Sequence, residues 1–205
     1  MRIEIYDTPK LKASLVCAAK KDVREYLCGV LIEVQAENIL LVSADGHRAS
    51  VILSKFDVDP GAVGSKFIIP REAIESFLKV AGKNSTATID FETQQEGEVD
   101  RVHFSISDNQ GHKIEGKALG GRFPDWRSII PSVPRDSEKG PTVSYNASYV
   151  SDFGKIAVIL GSKEPIINLT EYCENLFKVD IGNDDFVGVL MGRSVYTGSD
   201  SSWLA

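Results

Sequence analysis

Histidine is scarce in this chain: His47, His103 and His112 are the only three among 205 residues. No Gly-x-x-x-x-Gly-Lys phosphate loop and no Gly-x-Ser-x-Gly elbow accompanies them, so two common catalytic frameworks are missing. Cysteine is sparse too. Cys17, Cys28 and Cys173 are odd in number and far apart, with no Cys-x-x-Cys or Cys/His cluster. That spacing argues against zinc and against a disulfide framework, and fits reduced thiols in a cytoplasmic protein. No apolar run approaches the ~20 residues of a membrane span. The amino terminus opens on Arg2-Ile3-Glu4-Ile5-Tyr6 rather than on the apolar stretch of a secretion signal. An excess of positive charge is also lacking: 23 basic against 29 acidic residues give a formal net charge of −6. This speaks against a uniformly basic nucleic-acid binder and leaves room for a locally basic face. Acids gather at Glu96, Glu98, Asp100 and at Asp184, Asp185, where solvated turns account for them better than a metal site. With no catalytic constellation, the expectation is a protein that is not an enzyme.

What the chain does have is a core-sized apolar fraction, 42%, laid out in a recurring order. Residues 40–51 run apolar, break at Asp45-Gly46, and turn apolar again after His47-Arg48. Asp-Gly between two such runs predicts a β-hairpin, because both residues tolerate positive φ. Around it, strands are predicted at 2–6, 26–35, 39–43, 49–55 and 65–69. A helix is expected at 10–21, with Thr8 as N-cap and Pro9 at its first position. A second helix, 71–82, carries Ile74, Phe77, Leu78 and Ala81 at i, i+3, i+4, i+7. Strands follow at 86–93, 102–107 and 112–119. The order to residue 120 is therefore β-α-β-β-β twice, at a period of about 60 residues, a strong sign of repeated architecture.

Residues 120–141 hold Pro124, Pro131, Pro134 and Pro141 and read as a linker. A third unit follows, with a strand at 142–146, a helix at 147–160, and strands at 166–171, 176–181 and 186–191. The expected fold is α+β, with three β-α-β-β-β units. Residues 1–120 form one complete domain, 121–141 a linker, 142–193 a half-domain and 194–205 a polar tail.

The lysines single out the helices. Lys10, Lys12, Lys20 and Lys21 fall in the first helical stretch. Arg71, Lys79 and Lys83 accompany the second, and Lys155 and Lys163 the third. If the units place their helices on one face, these charges converge on a surface suited to phosphates without reading sequence.

Two runs, Ala44-Asp45-Gly46-His47-Arg48-Ala49 and Gly121-Arg122-Phe123-Pro124-Asp125-Trp126-Arg127-Ser128-Ile129-Ile130-Pro131, resemble paired signatures of the bacterial sliding clamp, the β subunit of DNA polymerase III. Arg24-Glu25-Tyr26-Leu27-Cys28-Gly29 resembles the first strand of that family's middle domain. Asn146-Ala147-Ser148-Tyr149-Val150 and Val189-Leu190-Met191-Gly192-Arg193 resemble segments of its last domain. The resemblance implies a DNA-clamp fold, with helices lining a central hole and sheets outside. It implies a pocket for the peptide tails of partners, made by Arg24, Tyr26, Leu27, Gly46, His47, Arg48, Pro131, Asn146, Tyr149, Leu190, Met191 and Arg193. Ala49 is smaller than the family's residue, and Leu190-Met191-Gly192 replaces its Met-Pro-Met, so a wider or shallower pocket is expected.

The implied function is that of a DNA polymerase processivity factor. Its partners would be double-stranded DNA, the replicative polymerase and a clamp-loader ATPase, with no cofactor of its own. Nothing like the family's first domain is present, and three units stand where a family chain has six. Twelve units close the family ring, so four chains would be required, with a trimer or dimer as other arrangements. The open sheet edge of the third unit favours self-assembly. The rival reading is a clamp-like binding module that never encircles DNA and redirects clamp partners. Trp203-Leu204 in the tail raises the further idea of a segment that imitates a partner peptide.

Overall fold

A computed structural model describes residues 1–54, 59–82, 85–96, 99–130, 145–173 and 175–192. They form eleven strands and three α-helices in two antiparallel sheets. The first unit comprises β1 (Arg2–Ile5), α1 (Thr8–Ser14), β2 (Gly29–Val34), β3 (Ile39–Ala44) and β4 (Arg48–Ser54). The second comprises β5 (Lys66–Pro70), α2 (Arg71–Val80), β6 (Ala87–Glu96), β7 (Val99–Ser107) and β8 (Lys113–Lys117). The third comprises α3 (Ala147–Ile159), β9 (Asn168–Cys173), β10 (Leu176–Asp180) and β11 (Phe186–Met191).

The units interlock rather than stand side by side. Strand β1 leaves its own unit to pair with β6, and β5 leaves the second unit to pair with β2. The result is a four-stranded sheet, β1-β6-β7-β8, and a seven-stranded sheet, β5-β2-β3-β4-β11-β10-β9. The seven-stranded sheet runs unbroken into the third unit because β11 pairs with β4, from Phe186 opposite Ile52 to Leu190 opposite Arg48. One edge of the third unit, expected to need another molecule, is therefore satisfied within the chain.

Side chains alternate across a strand, and here both faces of the large sheet are covered. Val30, Ile32, Ile39, Leu41, Ile52, Ile69 and Leu190 point to one side and join Leu11, Ile74, Phe77, Phe153 and Ile156 of the helices in the main core. Leu31, Leu40, Val42, Val51, Ile68 and Val189 point to the other, where Phe123 and Trp126 cover them. This explains why β2 and β3 read as near-continuous apolar runs and not as alternation.

Four local expectations are corrected. The first helix ends at Ser14, not near residue 21, and its N-cap is Asp7. The carbonyls past that end find partners far away in sequence. Arg71 Nη1 donates to the carbonyls of Leu15 (2.6 Å) and Ala18 (2.8 Å), and Arg48 Nη2 donates to that of Val16 (3.2 Å). A helix end leaves its last carbonyls open, and the two guanidinium groups fasten the turn that follows it. Residues 25–27 form a 3₁₀ turn rather than the start of a strand. Residues 121–130, expected as part of a linker, lie on the outer face of the sheet and include a 3₁₀ turn at Trp126–Ile129. Of the strand expected at 142–146, residues 142–144 lie outside the described residues, and Asn146 instead caps α3 by accepting from the Ser148 N–H at 3.0 Å.

Candidate partner-binding site

The hairpin between β3 and β4 turns where Asp45-Gly46 places it. Asp45 Oδ1 accepts from the backbone N–H groups of His47 (3.0 Å) and Arg48 (3.1 Å). Gly46 sits at φ +87°, in the left-handed region. Space is tight there as well, since a Cβ on Gly46 would lie 2.9 Å from Arg24 Nη2. Arg24 is held over the turn by Asp22, with Nε and Nη2 donating at 2.9 and 2.8 Å. Those bonds from Arg24 hold the Asp22 carboxyl down to about 2.

The β4–β11 pairing completes the site. The Met191 N–H donates to the His47 carbonyl at 2.9 Å, so the end of β11 lies beside the hairpin tip. The His47 ring stacks on Tyr149 of α3, with centroids 5.8 Å apart and planes 21° apart. Arg24, Gly46, His47 and Met191 are exposed, and Tyr26, Asn146 and Tyr149 are half-buried. Together they form a rim of cation, ring and thioether groups at one end of the sheet. Such amphipathic side chains suit an apolar peptide with a few polar contacts.

Three expected pocket residues serve the structure instead. Leu27 and Leu190 are buried, the first in the outer cluster and the second in the main core. Arg48 faces the helices, with its side chain 9% exposed. Its Nε donates to Asp45 Oδ2 (3.0 Å), Nη1 to Asp152 Oδ2 (2.5 Å) and Nη2 to the Val16 carbonyl. Its guanidinium also lies 4.5 Å from the centre of the Tyr149 ring. Burial works against the charge, yet the bonds to Asp152 and Asp45 raise the Arg48 pKa above its ordinary value. Each guanidinium nitrogen donates within the molecule, so Arg48 positions the hairpin against α1 and α3. Cys17 sits buried beside it, its thiol pushed up to about 12 by burial. Pro131 and Arg193 lie outside the described residues.

Sequence reasoning missed Asp22, Asp152 and Glu33. Asp152 had a signal: it follows Tyr149 by three residues on α3 and so shares its face. Glu33 had none. It is a buried carboxylate on the outer face of β2, bonded by Arg127 Nη2 (2.5 Å) and Nη1 (3.0 Å) and by the Trp126 indole N–H (3.4 Å). The Arg127 guanidinium also stacks on Trp126, 4.0 Å from its ring. The Gly-Arg-Phe-Pro-Asp-Trp-Arg run is thus a fastening: Phe123 and Trp126 fill the outer cluster, and Arg127 neutralises Glu33.

The helices do share one side of the molecule, with α1 touching both α2 and α3. The basic set expected there is thinner than anticipated. Lys10 donates to the Leu53 carbonyl (2.9 Å) and to Asp185 (2.7 Å), its side chain 13% exposed, so it ties the first unit to the third. Arg71 is occupied with the end of α1 and with Glu75 at 2.8 Å. Lys20 and Lys21 are exposed on the turn after α1 rather than on a helix. Lys12, Lys79 and Lys163 are exposed, and Lys155 pairs with Asp152 at 2.5 Å. Lys83 lies outside the described residues. Glu72, Glu75 and Asp152 share these helices, which makes the surface mixed in sign.

Two sheets with three helices against their shared core, and helix–strand units that exchange strands, define a clamp-type α+β fold. A family model described as the DNA polymerase III beta subunit, central domain, matches residues 10–125, and the chain belongs to that sliding-clamp family. The beta sliding clamp of Escherichia coli (strain K12) is 24% identical over 180 residues, covering 85% of this chain and 44% of the relative. The DNA polymerase III subunit beta from Borrelia burgdorferi, solved in complex with a natural product, superimposes with a TM-score of 0.71 at 17% identity, over 95% of this chain and 64% of that one. The Helicobacter pylori beta clamp bound to a DNA ligase peptide gives 0.68 at 14% identity, over 95% and 66%. The chain spans less than half the length of the curated relative and about two thirds of these solved chains. Among the described residues no helix is long and apolar enough to cross a membrane.

Proposed function

We propose that this protein is a sliding-clamp-like, non-enzymatic processivity factor that tethers a DNA polymerase and other replication proteins in the cytoplasm. One observation carries the reading: the β4–β11 pairing brings the hairpin tip, Met191 and Tyr149 into one exposed rim within a clamp-family chain. The rim, with Arg24, Tyr26, His47 and Asn146, receives the peptide tail of the polymerase. Duplex DNA passes the helix side, where Lys12, Lys79, Lys155 and Lys163 offer sequence-independent phosphate contacts. Pro131 and Arg193 remain part of the proposed rim by resemblance.

Encirclement needs several copies. Among the described residues β8 and β9 each pair on one side only. Lys113 and Lys117 lie on the first edge and Glu171 on the second. A head-to-tail contact between these edges continues the sheets from copy to copy and closes if the rotation permits. Four copies supply twelve units. Loading onto DNA is the task of an external ATPase.

The mixed charge of the helix side favours keeping the second reading, a module that binds clamp partners without surrounding DNA. Retention on circular and linearised duplex separates the two. A ring stays on a closed circle after loading and runs off linear ends. Equal loss from both templates, with polymerase-tail peptide still bound, rejects the ring and supports the module.

A further inference from the structure

The helix side carries a groove between α1 and α2, floored by Leu15 and Val16 of the turn that follows Ser14 and closed at one end by Ile159 of α3. A cavity of about 510 Å³ lies elsewhere, beside Phe123 and Trp126, but the helix-side groove is larger, about 650 Å³. Its apolar walls are Pro9, Leu15, Val16, Leu78, Ala81 and Ile159. Four of these, Val16, Leu78, Ala81 and Ile159, are the outer, partly buried residues of the main core, so core side chains show through between the helices. Val80 and Val158, next to two wall residues in sequence, are 45% and 56% exposed.

Four charged residues line the groove: Lys12, Arg71, Glu75 and Lys79. Arg71 and Glu75 neutralise one another at 2.8 Å. Lys12 on α1 and Lys79 on α2 are exposed, and no ion pair within the described residues engages either of them. An apolar trough beside two unneutralised cations offers more than duplex phosphates require. Phosphate contact needs cations alone and leaves apolar walls wet. The volume lies within the roughly 300–1,000 Å³ range of sites that take ligands or side-chain anchors.

We infer that this groove docks a short amphipathic segment of a partner protein, its apolar side chains seated between α1 and α2 against Ile159 of α3, and its carboxylates on Lys12 and Lys79. The apolar wall supplies affinity, and the two lysines select an acidic flank over a basic one. The site is separate from the hairpin rim and does not depend on ring closure. An acidic occupant also neutralises two of the lysines proposed to meet DNA, so groove occupancy and DNA contact oppose each other.

The test uses the full chain and two fluorescent helical peptides with the same leucine stripe, one flanked by glutamates and one by lysines, read by anisotropy. The glutamate peptide binds, and the lysine peptide binds at least about tenfold more weakly, as two surface ion pairs replaced by like charges imply. Joint Lys12→Glu and Lys79→Glu substitution reverses the preference. Both side chains are exposed, so an unchanged melting temperature confirms that folding is intact. Leu78→Glu, checked for folding in the same way, abolishes binding of both peptides. His47→Ala on the hairpin rim leaves glutamate-peptide affinity unchanged, which separates failure here from failure of the rim. No binding of the glutamate peptide, equal binding of the two, or a preference that survives charge reversal overturns the inference. So does duplex DNA that occupies the wild-type groove without displacing bound peptide.

Discussion

Glu33→Gln isolates the fastening between the outer face of β2 and the Phe123–Trp126 segment. The substitution keeps the shape of the side chain and removes its charge. Bonds from Arg127 depress the Glu33 carboxyl from 4.5 to about 2, against the opposing effect of burial. Each pKa unit is worth about 1.4 kcal/mol, so the charged form gains at most about 3.5 kcal/mol on folding. Arg127 is 46% exposed and regains water when its partner is lost, which brings the expected cost to about 2 kcal/mol. Because the folded pKa lies below the unfolded one, this stability is complete above about pH 5 and drains as pH falls toward 2. Urea unfolding at a series of pH values reads it directly. At pH 7 the variant's midpoint falls by about 1 M, for a slope near 2 kcal/mol per molar. The gap between wild type and variant narrows steadily below pH 5. A pH 7 difference under about 0.5 kcal/mol, or a gap that does not change with pH, refutes the assignment.

Other perturbations follow from the same geometry. Arg71→Lys removes a fork that holds two carbonyls, and thermal melting is expected to show a loss of about 1–2 kcal/mol, because a point charge cannot serve both. Gly29→Ala places a Cβ 2.5 Å from the Ile69 carbonyl oxygen, so the β2–β5 pairing must shift; a drop of about 2 kcal/mol or more is predicted, and an unchanged melt contradicts the packing. Asp152→Asn leaves Arg48 with Asp45 as its remaining carboxylate and costs about 1–2 kcal/mol in the same assay. His47→Ala with Arg24→Ala weakens a polymerase-tail peptide several-fold in anisotropy with little change in melting temperature, since both side chains are exposed rim groups.

The hairpin was legible because Asp-Gly is a local signal, and α2 because its apolar stripe has a clear period. The length of α1 was not legible. The turn after it is fastened by Arg48 and Arg71, which stand over thirty and over fifty residues away, and no local pattern of Leu15–Ala18 reports that. Lys10 misled for the same reason: its partner, Asp185, lies 175 positions downstream. Proline-rich composition suggested a linker at 121–130, whereas Phe123 and Trp126 within it are buried against the large sheet. The motif there was visible, but its work of covering Leu31 and neutralising Glu33 depended on knowing that β2 is buried on both faces. The candidate rim was half legible. His47, Arg24, Tyr149 and Met191 do meet, while Arg48 turns inward because even-numbered residues of β4 face the helices.

The proposed ring rests on association of several copies, and solution mass tests it most directly. Sedimentation of the full chain at micromolar concentration is expected to give a closed assembly, four chains by unit count, with no further growth as concentration rises. A single-chain mass under those conditions contradicts the ring and leaves the hairpin rim to act without encircling DNA.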